Sequence, residues 1–222
     1  MSPRFPTRVV DSMRPSLALA FVAVVCLGVT LIGGCRSQTA GRDHAEQGQG
    51  FEVVPLASLE EIVALPFETH DGAPASVGGL AGKPVLMSFI FTRCTTPSMC
   101  PLTTRNVARV QALLTEEERE AVTLVSLTFD PEYDTGAVLE AYAQAHGADL
   151  GSWQFWRGTP ADTERLMGAF NAWAFAKNDD YTHNMRSVIL GPDGSLSRVL
   201  RDSTWEPEEA AAHLRELAAG PG

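Results

Sequence analysis

The fold is decided by residues 85–101, VLMSFIFTRCTTPSMCP, where an apolar run meets a loop that carries Cys94 and Cys100. The apolar run, residues 85–91, is nearly continuous, which is typical of a strand buried on both faces of a parallel sheet. Pro101 favours a helix that starts directly after the loop, because proline lacks the N–H that has no partner at the first helical position. The stretch therefore predicts a strand, a loop with two thiols, and a helix.

Alternating strands and helices are predicted along the rest of the chain. The predicted elements are a helix carrying Val107, Val110, Leu113 and Leu114, a strand over 122–129, a helix capped by Asp134 or Thr135 and ending near His146, an extended piece over 153–156, a helix over 160–172, strands over 187–190 and 196–200 around a Gly-Pro-Asp-Gly turn, and a closing helix over 206–218. Upstream, residues 67–70 with the Asp71-Gly72 turn predict an additional hairpin.

This order predicts an α/β fold of thioredoxin-like, three-layer architecture, with a mixed central sheet, an N-terminal hairpin addition and an inserted segment. In such folds, ligands collect beyond the carboxyl ends of the parallel strands. The loops that follow Phe91 and Phe129 are therefore expected at one edge of the sheet, where they form the candidate site.

The first fifty residues predict export and a tether. Three arginines precede an uncharged run, residues 15–35, that ends in Gly33-Gly34-Cys35. This pattern is similar to a bacterial lipoprotein signal, so residues 1–34 are predicted to be a signal peptide and Cys35 the lipid-bearing residue, followed by a flexible linker over 35–50 and a domain over 51–222. The alternative is an uncleaved anchor helix. Both interpretations place the domain in the bacterial cell envelope, on the periplasmic side of a membrane.

Composition narrows the function classes. The chain has 222 residues, a formal net charge of −10 and 45% hydrophobic residues, so it is too apolar for a disordered chain. The acidic charge argues against a nucleic-acid partner, since phosphate binding needs a basic face. Four cysteines are too few for a disulfide-built scaffold.

The two loop cysteines leave several chemistries open. Cys100 is expected at the start of a helix, where the helix dipole and free N–H groups lower a thiol pKa and favour the thiolate. A thiolate binds a soft metal or attacks a disulfide, so a metal site, a thiol–disulfide oxidoreductase and a plain structural disulfide are all candidates. A peroxidase is a further candidate, supported only by Arg93 beside Cys94.

Three ordered blocks resemble the Sco/SenC family. They are residues 91–102 with both cysteines, residues 127–135 (LTFDPEYDT), and residues 181–184 (YTHN) before the Gly-Pro-Asp-Gly turn. The resemblance extends from about Phe51 to the end of the chain. It implies a membrane-tethered, thioredoxin-like protein that delivers copper to the binuclear copper centre of cytochrome c oxidase. Some members of the family look more like thiol–disulfide reductants of that centre.

The resemblance implies that Cys94, Cys100 and His183 bind copper. Two thiolates and an imidazole suit Cu(I), and they also suit Cu(II), which is bound most tightly among the divalent ions. One departure from the family pattern concerns the spacing, since five residues separate the cysteines here instead of the usual three, and Thr95 replaces the usual proline. The wider loop could keep the metal, loosen it, or favour redox work by Cys94 and Cys100.

The remaining polar candidates are assigned smaller roles. Asp130 is expected either to orient a ligand or meet a basic partner, or to serve only as a turn residue. Met99 is expected to be a wall of the loop. The remaining histidines of the domain are expected to stay outside the site, namely His70, His146 and His213. The leading hypothesis is a copper-binding assembly factor for cytochrome c oxidase, and the alternative is a thiol–disulfide oxidoreductase.

Overall fold

The structure is a computed structural model that describes residues 61–178 and 180–220. The strands are β1 (Phe67–Thr69), β2 (Pro74–Ala75), β3 (Val85–Ile90), β4 (Thr123–Thr128), β5 (Trp153–Gly158), β6 (Ala174–Lys177), β7 (Asp180–His183), β8 (Arg186–Leu190) and β9 (Leu196–Arg201). The α-helices are α1 (Cys100–Leu113), α2 (Glu116–Ala121), α3 (Gly136–Ala145), α4 (Pro160–Ala169) and α5 (Pro207–Ala219). The predicted signal peptide, Cys35 and the linker lie outside the described residues.

Seven strands form one mixed sheet in the order β2-β1-β5-β4-β3-β8-β9. Strand β3 lies between its parallel neighbour β4 and its antiparallel neighbour β8, and all six of its residues are buried. This position explains why its sequence is almost continuously apolar. The antiparallel pair β1–β2 is the predicted N-terminal hairpin, and it joins the sheet through β5. The predicted thioredoxin-like α/β fold is confirmed.

The helices cover the sheet and close its core. Helix α1 packs on β3 and against α5, and the hydroxyl groups of Thr104 in α1 and Tyr142 in α3 are hydrogen-bonded at 2.8 Å. Helix α4 packs against β5, and Phe170, which follows α4, contacts the ring of Phe89 in β3. Within the described part of the chain, no helix is both long and apolar enough to span a membrane.

The strands β6 and β7 form a separate two-stranded sheet, here called the β-ribbon. No pattern in the sequence predicted these strands. Ala174 pairs with His183 and Phe175 with Thr182, and Asn178, at the turn, has a φ of 56°. Asparagine tolerates this left-handed conformation better than most residues. The ribbon therefore folds as a tight hairpin between α4 and β8 and brings His183 to its end.

Candidate metal centre

Three elements bring the three predicted ligands together. Cys94 lies in the loop after β3, Cys100 is the first residue of α1, and His183 is the last residue of β7. One ligand atom from each residue lies within 4.8 Å of the other two, and Cys100 Sγ lies 4.0 Å from His183 Nε2. The loop and the ribbon are far apart in sequence, so this cluster is a product of the fold.

The imidazole of His183 is held in an orientation suited to metal binding. Its Nδ1–H donates a hydrogen bond of 3.0 Å to the carbonyl oxygen of Asn184, since a carbonyl can only accept. This bond fixes the tautomer and leaves the lone pair of Nε2 directed at the cysteines. The ring packs against Phe91 and Phe129, with centroid distances of 5.6 Å and 5.0 Å, and only 8% of the residue is exposed.

Asp134 fixes the base of the cysteine loop. Its carboxylate accepts hydrogen bonds from the Thr92 N–H at 3.1 Å, from the Thr92 hydroxyl and from the Thr128 hydroxyl. Burial raises the pKa of Asp134, and these hydrogen bonds oppose that rise. Of the two predicted caps of the following helix, Thr135 is the one found, because its side chain accepts from the Val138 N–H, whereas Asp134 does not cap it.

The five residues between the cysteines are held by hydrogen bonds within the loop and from outside it. Within the loop, the Met99 N–H donates to the Thr96 carbonyl at 3.1 Å, which makes a turn. The Arg105 side chain donates to the Pro97 carbonyl at 3.2 Å, and the Ser203 hydroxyl donates to the Ser98 carbonyl. These bonds let a loop longer than the usual family spacing still bring its two ends together.

The pKa values of the two thiols are shifted in opposite directions. The pKa of Cys94 is lowered to about 5, first because the Cys100 thiol donates a hydrogen bond to its sulfur, and further because the backbone N–H groups of Thr96 and Cys100 point at it. The pKa of Cys100 is raised, because its proton is held by Cys94 and because its side chain is fully buried. The lowered pKa that the sequence predicts for Cys100 therefore lies at Cys94 instead, although the Cys100 N–H at the start of the helix acts on both sulfurs.

Asp130 joins the cysteine loop to the β-ribbon. This buried carboxylate accepts hydrogen bonds from Arg93 Nε at 3.0 Å and from the Tyr181 hydroxyl at 3.1 Å. Arg93 also lies over the ring of Tyr133, 4.3 Å from its centroid. Asp130 is more than a turn residue, because one of its partners precedes Cys94 directly and the other lies two residues before His183. The sequence placed Asp130 near the site but did not point to Tyr181 as its partner.

The other histidines lie elsewhere. His146 packs on the ring of Tyr142, with a centroid distance of 4.4 Å, and His213 Nε2 lies 2.7 Å from the Ser197 hydroxyl oxygen. His70 follows β1 at the N-terminal hairpin. They do not belong to the cluster of Cys94, Cys100 and His183.

Comparisons with known proteins agree with the site and the fold. A family model described as SCO1/SenC matches residues 58–219. The "Protein SCO2 homolog, mitochondrial" of Mus musculus is 30% identical over 215 residues, which cover 92% of this chain and 81% of the mouse protein.

Two solved structures illustrate the structural similarity. A SCO1/SenC family lipoprotein from Bacillus anthracis str. Ames has a TM-score of 0.62 and 26% identity, with 69% of this chain and 92% of that chain covered. Bradyrhizobium japonicum ScoI with copper bound has a TM-score of 0.57 and 24% identity, with 69% and 96% covered. The second likeness shows the fold alone.

Proposed function

The chain belongs to the SCO1/SenC family, and on that premise we propose that it binds one copper ion through Cys94, Cys100 and His183 and delivers it to the copper centre of cytochrome c oxidase. The observation that carries this proposal is the cluster of two sulfurs and one imidazole nitrogen within 4.8 Å of one another. In this function copper is the ion that the protein transfers.

The donor set suits copper. Thiolates are soft ligands that select Cu(I), and an imidazole adds a ligand that Cu(II) also accepts. Structural zinc sites usually close with four protein ligands, whereas this cluster offers three. Three ligands leave a position at which a recipient can begin to bind, as a delivery protein requires. The Bradyrhizobium protein of the same fold, which is described with copper bound, supports this assignment.

The geometry suggests an order for the hand-over. Cys94 is partly exposed, whereas Cys100 and His183 are buried. A ligand from a recipient can therefore reach the metal on the Cys94 side first, and we propose that Cys94 is the first ligand to be exchanged. Cys100 and His183 would then hold the ion until a second ligand arrives.

Asp130 is proposed as a positioning residue. Its side chain accepts hydrogen bonds from Arg93 on the loop and from Tyr181 on the ribbon, and neither of these is one of the three ligands. The distance between the cysteines and His183 depends on how these two segments sit against each other. Asp130 would thus keep the imidazole within reach of the sulfurs.

The place of action is proposed from the N-terminal sequence. Cys35 follows an apolar run and two glycines, as in a lipoprotein signal, and the similar Bacillus anthracis protein is itself described as a lipoprotein. We propose that the mature chain is anchored to a membrane of the cell envelope through Cys35, with its domain outside the cytoplasm. The recipient would be the subunit that carries the copper centre of the oxidase.

A second candidate function is thiol–disulfide exchange, which the asymmetry of the two thiols favours. The Cys94 thiolate would attack a partner disulfide, forming a mixed disulfide and releasing one partner thiolate. Cys100 would then lose its proton and attack Cys94 Sγ, so that the partner leaves as a dithiol and Cys94 and Cys100 become a disulfide. The lowered pKa and partial exposure of Cys94 and the burial of Cys100 suit the attacking and resolving roles.

A copper titration of the reduced protein separates the two functions. Copper delivery predicts one ion bound per chain and a large loss of affinity in each of three variants, Cys94→Ser, Cys100→Ser and His183→Ala. Thiol–disulfide exchange needs both cysteines but no imidazole ligand. Copper delivery would be rejected in favour of exchange by two results together. The wild type would take up no stoichiometric copper, and His183→Ala would reduce a partner disulfide at the wild-type rate.

A further inference from the structure

Large apolar side chains are exposed beside the metal centre. Trp173, directly before the β-ribbon, and Phe175, within it, are 40% and 64% exposed, and their rings stack with centroids 5.4 Å apart. Over residues 61–178 and 180–220, the large hydrophobic residues that are exposed are Val63, Tyr133, Trp173 and Phe175. Trp173 and Phe175 lie at the start of the ribbon that ends in His183, and the ring of Tyr133 is covered by Arg93, the neighbour of Cys94. Such clustering marks an interaction surface more than chance exposure does.

The register of the ribbon places the aromatic pair on its outer face. Ala174 lies opposite His183, so both side chains lie on one face, and the neighbours Trp173 and Phe175 lie on the other. The inner face carries Tyr181 and His183, whose rings pack on Phe91 and Phe129. The ribbon thus has one face that shapes the metal centre and one apolar face directed to solvent.

The ribbon is a suitable element for a partner to engage. Its two strands pair only with each other in the described sheets, and a lone two-stranded hairpin is marginally stable in water. Its base is held by two bonds between Trp173 and Asn184, of 2.9 Å and 3.2 Å, and its middle by the bond from Tyr181 to Asp130. A partner on the outer face would therefore contact the element that positions His183.

Charge selects the class of partner. Exposed carboxylates lie beside the aromatic side chains, with Asp180 on the ribbon and Glu132 directly before Tyr133 in the chain. Lys177 lies opposite Asp180 in the ribbon, and Arg93 is bonded to Asp130. The chain as a whole carries a formal net charge of −10. A second copy or an anionic lipid surface would bring more negative charge, whereas a protein with a basic rim would be attracted.

We propose that Trp173, Phe175 and Tyr133 form the docking surface for the copper recipient, a protein domain that presents an apolar contact bordered by lysine and arginine. This inference rests on the proposed function and adds where the recipient binds. Tyr133 lies beside the cysteine loop, where the Arg93 side chain covers its ring. A recipient that contacts all three rings would cover the ribbon that ends in His183 and the loop residue that precedes Cys94.

The test measures copper transfer from the loaded full chain, in detergent micelles, to the soluble copper-centre domain of cytochrome c oxidase. The double variant Trp173→Ser/Phe175→Ser should bind copper with unchanged stoichiometry but transfer it at least about tenfold more slowly, since buried aromatic anchors dominate interface energies. The matched control is Val63→Ser, an exposed apolar residue away from the surface, which should transfer at the wild-type rate. Glu132→Lys should slow transfer, and the rate of the wild type should fall as salt is added.

The outcomes separate the inference from the function on which it rests. If the wild type transfers copper and the double variant transfers it equally fast, the docking surface is refuted and the proposed function stands. If the wild type binds copper but transfers none, the proposed function fails and the docking surface fails with it. If the double variant transfers copper at the wild-type rate but no longer binds phosphatidylglycerol vesicles, the surface is assigned to membrane binding instead. Should the double variant lose copper, Phe175→Ser alone, at the most exposed position, provides the same comparison.

Discussion

Replacing Cys100 with alanine should raise the pKa of Cys94. In the native site that pKa is lowered from 9.0 to about 5, and the hydrogen bond from the Cys100 thiol is the largest cause. At pH 7 a thiol with a pKa of 5 is about 99% thiolate, whereas one with a pKa of 9 is about 1% thiolate. The variant removes the donor but leaves the backbone N–H groups of Thr96 and Cys100 in place, so part of the lowering should remain.

The rate of alkylation at a single pH is a poor assay for this change. Lowering a thiol pKa by four units increases the thiolate about a hundredfold at neutral pH, but the intrinsic nucleophilicity falls by roughly the same factor at a Brønsted coefficient of about 0.4–0.5. The two effects almost cancel. The informative quantity is the midpoint of the pH profile, which reports the pKa whatever the limiting rate.

The measurement is iodoacetamide labelling of the reduced protein over a range of pH, with the labelled cysteine identified by mass spectrometry. Wild-type Cys94 should label with a midpoint near 5, and Cys100 should remain protected through neutral pH. Cys100→Ala should move the Cys94 midpoint upward, whereas the control Met99→Leu, which removes no donor, should not. A wild-type midpoint at the ordinary value of 9.0, or one that Cys100→Ala leaves in place, would refute the shared proton.

Three further predictions follow from the same contacts. Copper loading at neutral pH should release about one proton from the thiols, because Cys94 is already ionised and Cys100 is not; release of two protons in a weakly buffered titration would contradict this. Asp134→Ala should lower the free energy of unfolding by about 2–4 kcal/mol, because Thr92 and Thr128 lose the acceptor of three hydrogen bonds; a urea midpoint like that of the wild type would show that the loop base is held otherwise. Tyr181→Phe should weaken copper binding several-fold while costing only about 1–2 kcal/mol of stability, and unchanged affinity would exclude the link through Asp130.

The elements around the site follow from sequence where one physical signal dominates. The apolar run of β3 needs burial on both faces, and Pro101 marks the start of α1, so the cysteine loop could be placed between them. The β-ribbon was not predicted because its strands, AFAK and DYTH, are short and contain a single buried residue, His183. Helix α2 was not predicted because its stability depends on the capping box of Thr115 and Glu118 rather than on apolar residues at helical spacing.

The ligand set could be predicted only through the family resemblance. His183 lies 83 positions after Cys100, and no local pattern indicates that a hairpin will bring it to within 4.0 Å of that sulfur. The helix start alone predicts a lowered pKa for Cys100, but that prediction holds only for an isolated thiol, and Cys100 lies beside a second one. The two sulfurs lie within 4.8 Å of each other and titrate together, and the pKa is lowered at the less buried sulfur, Cys94. Such coupling depends on distances that sequence spacing does not fix.

The most direct test of the three-ligand site is X-ray absorption at the copper edge of the loaded protein, which counts the atoms around the metal. We expect two sulfur neighbours and one imidazole nitrogen in the wild type. We also expect two sulfurs with no imidazole in His183→Ala, and a single sulfur in Cys94→Ser. An imidazole signal that persists in His183→Ala, or a metal without sulfur neighbours in the wild type, would contradict the three-ligand site.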